Sequence, residues 1–212
     1  MELLLKQKNK DLYSGEFEII DNNQVIGNIY FKGQLGSMEV SLNGSFYDKS
    51  FSFECVNKFF PGPKKNFRPY NILENNNVVG NIFQSIIKNT LFLRSYYHLC
   101  TYNNKEYISY PIGLGKKTIS AIYCDNIQIA QIEHDNTIYN DLHNYIIYCE
   151  SRDTAFISIL IACYTYIIKA YKAGQKVISS KVISFDKTTN KYLLEKYNPN
   201  FVDNIKQKEN II

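Results

Sequence analysis

The chain has 212 residues, of which 45% are hydrophobic and 21% charged, so it can bury a real core and is not a disordered or collagen-like polymer. A net charge of +4 permits an anionic partner without demanding one, and nucleic acid is not expected as a ligand. Aromatic residues reach 15%, with 18 Tyr, 13 Phe and no Trp, a composition that favours strands.

Along the chain, Met1 to Lys6 is too short in its apolar part to act as a signal peptide. The first half is then punctuated by hairpins. Glu16-Phe17-Glu18-Ile19-Ile20 alternates polar and apolar, Asp21-Asn22-Asn23 interrupts it, and Val25 to Phe31 resumes it. Met38 to Leu42 leads into Asn43-Gly44, a pair suited to the two positive φ angles of a type I′ turn, so a hairpin is expected there. Ser45 to Val56 carries Phe46, Phe51 and Phe53 in strand-like spacing. The run from Pro61 to Pro69 contains three prolines and reads as a loop. Tyr70 to Leu73, Val78 to Phe83, Leu91 to Tyr102, Glu106 to Tyr110, Thr118 to Cys124, Ile127 to Ile132 and Leu142 to Cys149 follow as short strands. Turns are expected at Asn75-Asn76-Asn77, Asn103-Asn104 and Asp125-Asn126.

One segment recurs. Asp21-Asn22-Asn23-Gln24-Val25-Ile26-Gly27-Asn28-Ile29 matches Glu74-Asn75-Asn76-Asn77-Val78-Val79-Gly80-Asn81-Ile82, and Asp125 to Ile132 is a weaker third copy. Gly27, Gly80 and Ala130 are spaced by 80 − 27 = 53 and 130 − 80 = 50 residues, which marks a recurring supersecondary unit. A small residue inside each second strand suggests a bulge or a close backbone approach.

Thr154 to Ile168 is the stretch around which the rest is organised. Its apolar residues follow neither one stripe nor strict alternation, so a helix over about 153–173 is apolar all round and must be surrounded. Ser151 or Asp153 can cap its start, Lys169 and Lys172 fall in its last turn, and Gly174 offers a C-cap. The uninterrupted run stops at Lys169, short of the roughly 20 residues of a membrane span, so enclosure by protein is favoured over an anchor. About a dozen short strands followed by one such helix predicts a closed, mostly antiparallel barrel wrapped on it. Barrels of about eight strands are filled by their own side chains, so more are needed here. The expected architecture is a mostly β barrel over 1–175, then an extension over 176–212. In that extension Thr188 to Tyr197 and Pro199 to Gln207 read as two short helices packing on the barrel.

The "VxGNI" hairpins and the terminal Cys149-to-Ile168 run resemble the tubby C-terminal-like superfamily, which includes phospholipid scramblases and LURP-one-related proteins. The resemblance covers Glu16 to about Tyr171. It implies a 12-stranded barrel around a C-terminal hydrophobic helix and binding of phosphoinositide headgroups through basic residues. The chain departs from the family by running on from Ser179 to Ile212.

Catalytic and metal signatures are sparse. His98, His134 and His143 are the three histidines, and there is no HExxH or C-x-x-C spacing, so neither metal nor cofactor is expected. Five widely spaced cysteines (Cys55, Cys100, Cys124, Cys149, Cys163) read as reduced thiols of a cytoplasmic protein. Cys149 with His134 or His143 could form a nucleophile pair, but Cys149 lies in a Tyr/Ile-rich strand and reads better as a small buried hydrophobe. Gly113 to Thr118 fails as a P-loop, because Tyr110 replaces the first glycine and Lys117 the hydroxyl residue after the lysine. Two basic loops are the candidate anion-binding sites: Lys64, Lys65 and Arg68 beside Phe67, and Lys116 with Lys117. The expected function is therefore a non-enzymatic cytoplasmic barrel that binds anionic phospholipid headgroups, peripherally at a membrane, or a protein partner. A scramblase-like protein anchored by the terminal helix and a Cys/His hydrolase are the alternatives.

Overall fold

The computed structural model describes residues 1–34, 39–56, 69–88, 94–112, 116–182, 188 and 190–209. Twelve strands close into one antiparallel barrel. They are β1 (Glu2–Lys10), β2 (Ser14–Asp21), β3 (Gln24–Gly33), β4 (Val40–Phe46), β5 (Lys49–Cys55), β6 (Tyr70–Glu74), β7 (Asn77–Lys88), β8 (Arg94–Tyr102), β9 (Lys105–Pro111), β10 (Lys117–Cys124), β11 (Ile127–Asp135) and β13 (Asn144–Cys149). Neighbours in space are neighbours in sequence, except that β13 follows β11 and closes on β1. The short strand β12 (Thr137–Tyr139) pairs outside the barrel with β14 (Ser180–Val182).

Inside runs α1 (Arg152–Thr165), continued by a π-helical turn over Tyr166–Ala170. Ser151 caps it, accepting from the Thr154 amide, while the Thr154 hydroxyl accepts in return from the Ser151 amide. Every residue from Ala155 to Tyr164 is buried. The strands meet one broad side of the helix with rings. Phe156 contacts Phe46, Phe51 and Tyr102, Tyr164 contacts Tyr70 and His98, and Tyr166 contacts Phe17, Phe31 and His143, all at centroid separations of 5.0–6.1 Å. The expected enclosure of a helix apolar on every face is thus met, by rings along the arc from Tyr164 through Phe156 to Tyr166 and by the close approach of β8, β11 and β13 to the helix.

The recurring segment is a structural repeat. Asn22-Asn23, Asn75-Asn76 and Asp125-Asn126 all have positive φ, the backbone of a tight hairpin turn. After each turn one residue is left over in the ladder: Ile26, Val79 and Ile129 fall at the register shifts of β2–β3, β6–β7 and β10–β11. At these bulges the neighbouring backbone comes close. A Cβ on Gly27 would lie 2.2 Å from the Ser45 carbonyl oxygen, and one on Gly80 2.0 Å from that of Thr101. The Asn28 amide donates to Ser45 Oγ and the Asn81 amide to Thr101 Oγ1, at 3.3 and 3.2 Å. Tyr47 then reaches Asp21, and Tyr102 reaches Glu74, each hydroxyl donating to the carboxylate beside the preceding Asn turn. The barrel is therefore three four-strand units, β2–β5, β6–β9 and β10–β11–β13–β1.

Several sequence expectations shift. Asn43-Gly44 is not a turn; both lie in β4, and the chain reverses at Tyr47-Asp48. A turn at 43–44 would pair Leu42 with Ser45 and face Phe46 outward. The observed register pairs Leu42 with Phe53 and buries Phe46. Glu2–Lys10, for which no strand is expected from the sequence, is the strand that closes the barrel. Gly174 is not the helix C-cap. The helix ends at Tyr171, and Gly174 (φ 77°) instead turns the chain back to the Leu12 carbonyl. The extension is not wholly helical, since it contributes β14 before α2 (Lys191–Glu195) and α3 (Phe201–Glu209).

Both extension helices lie against the outside of the barrel. Leu193 of α2 packs with Tyr110, Ala121 and Tyr123, and Phe201 and Ile205 of α3 pack on Tyr148. α3 also bridges the closure. Glu209 pairs with the Met1 ammonium at 2.9 Å, Lys206 with Glu2 at 3.7 Å and Lys208 with Glu150 at 3.8 Å, while Met1 donates to the Cys149 carbonyl at 2.8 Å.

Because backbone faces the missing Cβ, Gly27→Ala and Gly80→Ala should each destabilise the protein by about 1–3 kcal/mol through overpacking. Ala130→Gly, where the third unit already accommodates a Cβ, should cost only about 0.5–1 kcal/mol. Urea-unfolding midpoints of the three variants test the comparison.

Candidate functional site

The two mouths of the barrel differ. The mouth at the start of α1 is closed by two-residue turns and carries Asp21, Asp48, Glu74, Asp125, Glu150 and Asp153. Two of its cations are engaged, while Lys105, which begins β9, is exposed there and makes no ion pair among the described residues. Lys49 pairs with Asp153 at 3.6 Å and lies over Phe156, and Arg152 stacks on Tyr47. At the opposite mouth, where the π-helical turn ends, the longer connections gather. Lys10, Lys116, Lys117, Lys169, Lys172, Lys176 and Lys181 stand there against Asp11, Glu39, Asp135 and Asp141.

Of the five basic residues singled out from sequence, Lys64, Lys65 and Arg68 lie outside the described residues, as does Phe67. The chain leaves β5 at Val56 and returns at Pro69, whose carbonyl accepts from the Val56 amide at 3.1 Å, at this same basic mouth. Lys116 is exposed there, and Lys117 begins β10 and pairs with Glu133 at 3.1 Å. Lys117 also borders a surface groove of about 360 Å³ shared with Lys6, Glu133, Asp135 and Asn144, whose charge is mixed. Among the described residues, Lys116, Lys172 and Lys176 make no ion pair. Lys172, expected in the last helical turn, lies past the Tyr171 C-cap, and Lys176 carries no expectation from the sequence. Lys172 and Lys176 stand at the same mouth as Lys116 because the helix ends there and the Gly174 amide donates to the Leu12 carbonyl.

Lys10 and Lys181 are different. They converge on Asp141, which is fully buried and also accepts from the Ile178 amide at 3.0 Å. Burial alone would raise the Asp141 carboxyl; the two ammonium groups and the amide outweigh it and hold the group below its ordinary range. Next to this cluster His143 and His134 meet at 3.0 Å, and the Gln7 side chain accepts from the His143 amide and donates to the Tyr166 hydroxyl. On the other side of the helix end, Gln84, His98, Ser120, Thr165 and Lys169 line a cavity of about 20 Å³, room for about one water. Gln84 is 2% exposed and its Oε1 has no hydrogen-bond partner among the described residues. The barrel interior is therefore apolar around the first part of the helix and polar beneath the basic mouth.

The Cys/His pair is not assembled. Cys149 stands opposite Ala130 and His134 opposite Tyr145, four residues further along β11, roughly 13 Å away at about 3.3 Å per residue. Burial also pushes the Cys149 thiol up to about 12, which disfavours a thiolate. Gly113 to Gly115 lie outside the described residues. The helix Arg152–Ala170 is long and apolar enough to cross a membrane, but its surface is taken up by strands, so an anchored form would have to leave the barrel.

With the geometry in hand, comparison of the chain with family models, curated proteins and solved structures finds no match.

The histidines give the fold a pH dependence. His98, His134 and His143 are held neutral, chiefly by burial, and His98 is lowered to about 3. The unfolded chain takes up these protons below about pH 6.5, while the folded chain resists. Stability should therefore fall as pH drops from about 6.5 towards 4, by up to about 1.4 kcal/mol per pH unit for each histidine. Urea unfolding at pH 7 and pH 5 checks this, and His98→Gln should make the loss shallower.

Proposed function

We propose that the protein is a non-enzymatic binding module whose basic mouth engages anionic phospholipid headgroups at a cytoplasmic membrane face. The observation that carries the reading is the separation of charge between the mouths, with Lys116, Lys172 and Lys176 unpaired among the described residues and grouped at the end where the long connections meet. Exposed ammonium groups on one face are drawn to the negative potential of a phospholipid surface, each contributing about 1 kcal/mol. Lys64, Lys65 and Arg68 fall in sequence between Val56 and Pro69, the described residues that meet at this mouth. The acidic opposite mouth turns such a surface away, so the charge pattern also selects an orientation. Kinship with the tubby-like superfamily is proposed on the same footing: the turn-and-glycine repeats and the enclosed terminal helix are the features of the resemblance.

Co-sedimentation with phosphatidylcholine vesicles containing phosphatidylserine tests this. Binding should be substantial at 0.1 M salt and collapse towards 1 M, where the screening length drops from about 10 to about 3 Å. Neutralising three sites together (Lys116→Gln, Lys172→Gln, Lys176→Gln) should weaken binding by about 3 kcal/mol, or roughly 100-fold. Lys64→Glu with Lys65→Glu should weaken it independently. Equal, negligible sedimentation with and without phosphatidylserine at both salts refutes the proposal.

A further inference from the structure

The basic mouth also carries exposed apolar side chains. Val182 is 77% exposed and Tyr139 65%, and beside them Val177 and Ile178 are 48% and 40% exposed. The pairing of β12 with β14 explains how the first two come to share a face. Thr137 stands opposite Val182 and Tyr139 opposite Ser180, so the two-residue period turns these four outward and sends Ile138 and Lys181 inward. A two-stranded sheet is marginal by itself. This one is pinned from beneath, because Lys181 reaches the buried Asp141, the Ile178 amide donates to the same carboxylate, and the Asn140 amide donates to the Ser179 carbonyl at 2.9 Å. A fixed apolar edge is therefore held out into solvent.

Its surroundings name the partner. Lys172 and Lys176 precede the edge in sequence, and the Lys116 carbonyl accepts from the Asn136 amide at 3.1 Å, one residue before β12. Aliphatic and tyrosyl side chains at a mouth that also bears exposed lysines match the boundary of an anionic bilayer, where headgroups meet acyl chains and where tyrosine, half apolar and half polar, is at home. We infer that the β12–β14 sheet, with Val177 and Ile178, is a wedge that enters the headgroup–acyl boundary of an anionic phospholipid bilayer while the neighbouring lysines hold the headgroups. This inference rests on the phospholipid reading of the basic mouth and adds insertion to it. The acidic mouth supplies an internal contrast. Val78 is 60% exposed there too, but it follows the Glu74–Asn77 turn at the acidic end, which an anionic surface repels.

The absence of tryptophan makes the test direct. In Val182→Trp the indole is the chain's only tryptophan, and Val78→Trp is the matched control. On phosphatidylserine-containing vesicles, emission from position 182 should shift to the blue and be quenched by bromine-labelled acyl chains, while emission from position 78 should do neither. Sedimentation of the same samples separates the two ideas. Binding with unshifted emission at 182, or with equal shifts at both positions, overturns the wedge and leaves headgroup binding standing. Failure of the wild-type chain to bind overturns both. A blue shift that grows with protein concentration without vesicles would identify a second copy as the occupant and overturn the wedge. Tyr139→Trp serves as a second probe if Val182→Trp does not fold. Tyr139→Ser with Val182→Ser should keep binding at low salt and lose the part that persists for the wild type at high salt.

Discussion

A helix with no polar face leaves no way to finish a protein by laying one layer of structure against another. From Ala155 to Tyr164 every side chain is buried, and such a cylinder needs partners through a full circle. A sheet supplies them if it curls until its edges meet, which also removes the open edges on which another chain could add a strand. Twelve strands give a ring wide enough for a helix and the side chains packed on it, where eight would be filled by side chains alone. The bulges after each Asn turn, with backbone brought against Gly27 and Gly80, put the bend at equivalent places in successive four-strand units.

The same units account for how the helix gets in. In the first two, the third and fourth strands are joined by a tight turn, at Tyr47-Asp48 and at Asn103-Asn104. In the third unit that turn is missing, because the fourth strand is the chain's own β1. Met1 meets Cys149 where a hairpin would otherwise be, and the chain runs from Cys149 through Ser151 straight into the interior. The break is a weak point in the ring, held by a ladder and no covalent turn. α3 crosses it from outside, with Phe201 and Ile205 on Tyr148 and ion pairs to Met1, Glu2 and Glu150. Those exposed pairs contribute little singly, so the apolar contact is the larger part of the clasp.

Much of this could be read from the residues and some could not, for definable reasons. Asn and Asp turns announce themselves because few other residues accept positive φ, and the glycines repeat because backbone fills the space of a Cβ. The all-apolar helix signals enclosure by its composition alone. Asn43-Gly44 misled, because its turn preference is local while register is set by which phenylalanines face inward; burying Phe46 outweighed it. β1 was missed because Leu4 faces outward between two inward leucines, hiding the alternation. The site was half visible. Lys116 and Lys117 stood out as a sequence pair, but Lys172 and Lys176 reach the same mouth only because the helix ends there and Gly174 turns the chain to the Leu12 carbonyl. Likewise Tyr139 and Val182 are unremarkable until pairing turns both outward.

The polarity of the charges has a structural cause as well as a use. α1 presents its positive end to the mouth bearing Asp21, Glu74 and Asp153, and its negative end to the lysine-rich mouth, the favourable sense for a helix dipole. That demand is met within a turn or so of each terminus, and the dipole fades beyond it. At the basic mouth Asp141 already absorbs Lys10 and Lys181 in a buried cluster, which secures the outer sheet. Lys116, Lys172 and Lys176 are left over, exposed and beyond what the helix end requires. Stability explains why cations are at that mouth; it does not explain why unpaired ones share it with an apolar edge held out into water. A surface that is both anionic and oily inside accounts for the two features together.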